Sequence, residues 1–181
     1  MPLRSFIVFC CFSISVFGQF GRGTISAGAG GGFTAGGENV YQTSYLPDSA
    51  AFSAGYEFRV LKYFAPEVSV VNLIPLVPQF GKFPMPPIRE RVTLVSIGAR
   101  GILPLHQGRV ELFGGGGAVN VSTSEAYLEL GSWLWQVNGG GRIAIGKRRR
   151  FWVGPTLRWS RNGGRPTEEW VSLTGDFGFR F

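Results

Sequence analysis

The sequence predicts an all-β fold, an eight-stranded antiparallel up-and-down transmembrane β-barrel, on three observations. Apolar and polar residues alternate with a period of two in eight separate runs. The connections between the runs alternate short and long, as a meander with all its long loops at one end requires. One face of each run is rich in Gly, Ser, Thr and charges, which suits a crowded interior of small radius, while the other face is nearly free of charge, which suits lipid.

The eighth run is the clearest. In WVSLTGDFGFRF, residues 170–181, Val171, Leu173, Phe177, Phe179 and Phe181 share one face, and Ser172, Thr174, Asp176 and Arg180 share the other. Three large aromatics on the apolar face demand cover by another layer or by lipid. The first run, 23–34, sets Ile25, Ala27, Ala29 and Phe33 on one side, and the second, 51–60, sets Phe52, Ala54, Tyr56, Phe58 and Val60 against Ser53, Gly55, Glu57 and Arg59. The third, 66–74, alternates least clearly. In the fourth, 91–103, Val95, Ile97 and Ala99 oppose Ser96, Gly98 and Arg100. The fifth, 109–121, contains Gly114 to Gly117, so its phase stays open; glycine within a strand ordinarily marks a bulge or a close backbone approach. The sixth, 132–145, sets Trp133, Trp135, Val137, Ile143 and Ile145 against Gln136, Asn138 and Arg142, and the seventh, 151–160, sets Phe151, Val153, Leu157 and Trp159 against Thr156 and Arg158.

Short turns fall around 62–65, 104–108 and 146–150, and longer connections at 35–50, 75–90, 122–131 and 161–167. A Greek-key sandwich has no need of that rhythm. Strands of about ten residues match a tilted bilayer crossing. Trp133, Trp135, Trp159 and Trp170 all fall at the long-loop end as an aromatic belt, with Phe151, Phe179, Phe181, Tyr63 and Phe64 at the other.

Composition agrees with an exported barrel. The chain has 181 residues, 28 of them Gly, with 14% aromatic and only 16% charged. A basic start, Met1 to Arg4, an apolar run from Ser5 to Val16 and small or β-branched residues before Gln19 form a signal peptide at 1–18, leaving a barrel domain at 19–181. Cys10 and Cys11 lie in that leader, so the mature domain would have no disulfide. It keeps 17 basic and 11 acidic residues, and export makes anionic lipid or polysaccharide, rather than nucleic acid, the natural partner of a net charge of +6.

With the leader, the eight alternating runs and the terminal LTGDFGFRF in place, the chain resembles the OmpA/OmpX-type eight-stranded outer-membrane β-barrel family. The resemblance implies residence in the outer membrane of a Gram-negative bacterium, among its lipid and lipopolysaccharide. It also implies that Phe177, Phe179 and Phe181 form the signal read by the barrel assembly machinery. Nothing follows Phe181, so the soluble peptidoglycan-binding domain of longer members is expected to be absent.

The phasing directs Glu57, Arg59, Arg100, Glu111, Arg142, Arg158, Asp176 and Arg180 into the lumen. Five of them, Glu57, Arg100, Glu111, Arg142 and Asp176, lie at one level near the short turns and are expected to form one layer of alternating charge. Buried ions need partners, and eight strands leave a lumen just wide enough for side chains. The layer therefore reads as a plug, with a gate as the functional alternative.

Catalysis finds little support: His106, the only histidine, sits in the turn 104–108, away from the long loops, where a hydrolytic triad would need it beside a serine and an acid. No cofactor and no metal site are expected. The function expected is a non-enzymatic, structural or surface-interacting barrel with at most a narrow pore; the alternatives are a lipid A-modifying enzyme or a small diffusion porin. Any extracellular ligand is left unidentified. Lys147 to Arg150 reads as a solvated turn, with contact to anionic headgroups or cell-wall polymer as its functional alternative. Gly114 to Gly117 lacks the lysine and helix of a P-loop. The proline-rich, apolar loop 75–88, PLVPQFGKFPMPPI, is expected to fold over the barrel mouth as a lid, with an adhesive surface as the alternative.

Overall fold

The computed structural model describes residues 22–36, 49–76, 91–123, 133–161 and 168–181. The leader expected at 1–18 and loop residues 77–90 lie outside them. Eight strands follow one another: β1 (Arg22–Gly36), β2 (Ser49–Arg59), β3 (Phe64–Pro75), β4 (Val92–Leu105), β5 (Val110–Thr123), β6 (Trp133–Ile145), β7 (Phe151–Arg161) and β8 (Glu168–Arg180). Each pairs antiparallel with the next and β8 returns to β1, so the sheet is closed. Closure removes the unpaired edge that lipid could not satisfy. A single 3₁₀ turn, His106–Gly108, joins β4 to β5 at the short-turn end.

The register fixes the tilt. Followed from partner to partner, Thr24 leads through Glu57, Glu67, Gly98, Gly117, Gln136, Ser160 and Trp170 back to β1 at Thr34, ten residues further along. A stagger of that size tilts the strands and sets a radius that side chains fill.

The two strands with unclear patterns take definite phases. On β3, Ala65, Glu67, Ser69, Val71 and Leu73 are buried in the lumen while Val68 is exposed. On β5, Glu111, Phe113, Val119 and Val121 face in and Leu112 faces out. The glycine run makes no bulge, because β4 and β5 pair without a slip from Val92↔Thr123 to Leu105↔Val110. It makes a close approach instead. A Cβ on Gly117 would stand 2.2 Å from the Ile97 carbonyl oxygen, whereas one on outward Gly101 would stand 3.6 Å from its nearest neighbour, the Gly114 carbonyl oxygen.

Gly117→Val is therefore expected to lower stability by about 1 to 3 kcal/mol or more, as overpacking does, and Gly101→Ala to change little. Urea titration of the refolded barrels checks the contrast. Equal behaviour of the two variants would show that the β4–β5 approach carries no constraint.

Outside, Ile25, Phe52, Val68, Ile97, Leu103, Leu112, Val137, Val153, Leu157, Leu173 and Phe177 are exposed. Among the described strand residues the outer face carries just two charges, Arg161 and Glu169, near the long-loop end and paired with each other at 3.4 Å. Trp159 Nε1 donates to Glu169 at 3.2 Å and Trp159 meets Trp135 edge-on at 5.0 Å between centroids. Phe151 packs with Phe177 and Phe179, and Phe181 with Phe179 and Tyr56, at the opposite end.

The long-loop half of the interior departs from the expectation of a polar lumen. It holds an apolar cluster, Ala51, Val71, Leu73, Leu94, Val119, Val121, Leu134 and Trp170, beside the buried Ser49, Ser160 and Ser172. Trp170 therefore does not belong to the outer belt. It shares the parity of Ser172 and Thr174, points inward and is 3% exposed. Its place at the long-loop end was legible; its face followed from Val171 next door.

Candidate functional site

Below the apolar cluster the lumen is crossed by ion pairs, with Ser69 and Ser96 hydrogen-bonded at 2.7 Å between β3 and β4. Period-two strands bring charged side chains to the lumen from β2 through β8, two each from β2 and β8, and antiparallel closure sets those strands facing one another. From β6, Arg142 reaches the opposite wall: Nη1 and Nη2 donate to the two oxygens of Glu57 on β2 at 3.0 and 2.8 Å. Its Nε donates to Glu111 on β5 at 2.8 Å. Glu111 also accepts from Arg59 at 3.0 and 2.9 Å and from Arg180 at 3.1 and 3.5 Å. One carboxylate, 1% exposed, thus holds three guanidinium groups from β2, β6 and β8. Such bidentate, charge-assisted bonds fix geometry as well as charge.

Arg100 on β4 pairs with Glu67 on β3, stands 3.7 Å from Glu57 and donates to Asn138 at 3.1 Å. Aromatic faces complete the packing. The Arg100 guanidinium lies 4.5 Å from the Phe113 ring centroid, and Arg180 lies 4.1 Å from that of Trp152.

Of the lumen residues read from the sequence, Glu57, Arg59, Arg100, Glu111, Arg142 and Arg180 lie in this one network. Asp176 does not join the layer expected of it. It pairs with Arg158 at 3.3 Å and accepts from Ser53 at 2.8 Å, while Arg158 also donates to Thr174 at 2.9 Å. The β7–β8 register sets Asp176 opposite Gly154 and beside Thr174, which gives it that separate pair. Sequence reasoning missed Glu67, Phe113 and Trp152. Glu67 was hidden by the weak alternation of β3, though its parity with Val71 and Leu73 was the available signal. Trp152 followed from its position next to outward Phe151.

The network leaves little room. A cavity bordered by Arg100, Phe113, Arg142, Trp152, Thr156 and Asp176 holds about 20 Å³, the scale of one water molecule. His106 is exposed in the 3₁₀ turn at the short-turn end. Among the described residues no group of His, Cys, Asp and Glu is placed to hold a metal ion.

No protein-family model and no curated protein matches the sequence. Solved structures do match the fold. Neisserial surface protein A aligns with a TM-score of 0.62 at 11% identity, over 89% of this chain and 99% of that one. The fold is that of the eight-stranded outer-membrane barrels. The attachment invasion locus protein Ail of Yersinia pestis aligns at 0.57 and 13% identity, over 89% and 99% of the two chains. The outer-membrane protein OprG of Pseudomonas aeruginosa aligns at 0.57 and 11%, over 89% and 96%.

Proposed function

We propose that this chain is a non-enzymatic outer-membrane barrel with a sealed lumen, serving the envelope structurally or through what its long loops present at the surface. The observation that carries the reading is the Arg142–Glu57 bond across the barrel, with Glu111 tying β2, β5, β6 and β8 together just beside it. An ion passing that level would have to break several buried, charge-assisted bonds at once. The apolar cluster above it adds a second closure.

In this reading the outer face, free of charge but for the Arg161–Glu169 pair near the long loops, meets the acyl chains of outer-membrane lipid and lipopolysaccharide, and the short turns face the periplasm. A leader at 1–18 would deliver the chain to the periplasm. Phe177, Phe179 and Phe181 would then serve the barrel assembly machinery as its recognition signal; the Phe181 amide donates to the Gly23 carbonyl at 3.1 Å and so holds the last strand against the first.

The refolded protein is expected to show heat-modifiable migration in detergent gels and no stable single-channel conductance in planar bilayers. Steady unitary currents would replace the sealed barrel by a diffusion pore. Lipid A from cells with and without the protein is expected to have the same mass, and a gained or lost acyl chain would make it an enzyme.

A further inference from the structure

The short-turn mouth of the barrel opens into a cavity of about 780 Å³ that the lumen network does not account for. Its wall carries six cations, Arg59, Lys62, Arg148, Arg149, Arg150 and Arg180. Among the described residues one acidic side chain faces them, Glu111, and its carboxylate is already engaged by Arg59, Arg142 and Arg180. The positive charge of the wall is therefore mostly uncompensated. Two of the turns that bring it together are tied to each other: Arg149 donates to the Gln107 carbonyl and so links the β6–β7 turn to the β4–β5 turn.

Two buried donors in the wall lack a partner among the described residues. Trp152 is 2% exposed and its indole Nε1 has none, nor has Arg59 Nε. A buried N–H without an acceptor is costly, but both atoms are closed off from the cavity, so it is the charge of the wall that favours an anionic ligand. Five of the six cations are arginines, whose planar forks match phosphoryl oxygens in pairs. The volume lies in the range of small-molecule sites and is far more than one phosphate ion needs.

We propose that this cavity is a binding site for a soluble molecule carrying several phosphate groups, gripped by the turn arginines Arg148 and Arg150 above and met by Arg59 and Arg180 below, with the Trp152 ring in the wall beneath Arg180. The run Lys147 to Arg150, which reads as a solvated turn in the sequence, thereby gains a ligand. An anionic lipid headgroup shares the chemistry, so the test separates the two sources.

The refolded barrel in neutral detergent is titrated with tripolyphosphate and with inorganic phosphate at low and high salt. Saturable binding of tripolyphosphate, tighter than that of inorganic phosphate and weakened by salt, is expected. Arg148→Gln with Arg150→Gln, which spares the turn-linking Arg149, is expected to weaken it by about tenfold or more, whereas Arg148→Lys with Arg150→Lys retains most of it. In nitrogen-labelled protein the Trp152 indole N–H resonance, assigned through Trp152→Phe, is expected to shift on binding. Repeating the titration in phosphatidylcholine nanodiscs with and without phosphatidylglycerol then distinguishes the sources: no effect of phosphatidylglycerol supports the soluble ligand, and competition by it replaces that ligand with a lipid headgroup. Absence of saturable binding, equal affinity in the glutamine variant, or a Trp152 resonance that stays fixed would overturn the site.

Discussion

Arg142→Leu is expected to cost the refolded barrel about 3 to 5 kcal/mol, the usual penalty for removing one partner of a buried ion pair. The damage falls unevenly. Glu111 keeps Arg59 and Arg180 at hydrogen-bonding distance. Glu57 loses both of its short bonds and keeps only Arg100 at 3.7 Å and Arg59 at 3.9 Å. The cost is thus concentrated in one carboxylate, buried and no longer bonded. Adding Glu57→Gln to Arg142→Leu should restore part of the lost stability, because it removes the uncompensated charge. Adding Glu111→Gln should not, since it removes the negative charge and one of the two oxygens that Arg59 and Arg180 share. Urea titration in detergent, with bilayer conductance on the same samples, measures both effects. Loss of stability without new current supports a plug. A small loss with a clear current would make the network a gate, and rescue by Glu111→Gln instead of Glu57→Gln would mean that the charges are partnered differently.

The barrel was legible because period two leaves its mark wherever the two faces meet different surroundings. That held for β2, β6, β7 and β8, where residues such as Trp135 and Gln136, or Phe177 and Asp176, sit on opposite faces. It failed on β3, where Val70 and Val71 look alike in sequence though one faces out and the other lies in the apolar cluster. It failed on β5 for another reason: Gly114 to Gly117 have no side chains to report a face. Partnerships across the lumen were less legible than faces. Period two says that Glu57 and Arg142 both point inward, but only the register and stagger decide that they meet, and that Asp176 meets Arg158 instead. The cationic cavity depends on three turns and the end of β8 converging, a proximity that no local pattern records.

Trp170→Ala separates the two halves of the interior from the outer belt. As a member of the apolar cluster with Leu73, Val121 and Leu134, Trp170 should leave a cavity on truncation and cost about 3 to 5 kcal/mol, in line with other large-to-alanine changes in packed cores. Trp159, on the outer face, has among the described residues one aromatic neighbour at 5.0 Å and one hydrogen bond to Glu169. Its replacement by alanine should cost about 0.5 to 1.5 kcal/mol, the scale of a single aromatic pair. The responses to lipid should differ as well. A belt residue reads the position of the interface, so the Trp159→Ala penalty should vary with bilayer thickness, whereas a cavity enclosed by protein takes no notice of it. Unfolding measured in short-chain and long-chain phosphatidylcholine vesicles tests this directly. A Trp170→Ala penalty that is small and tracks chain length would put Trp170 back in the belt, and with it the inward phase of the first residues of β8 would be wrong.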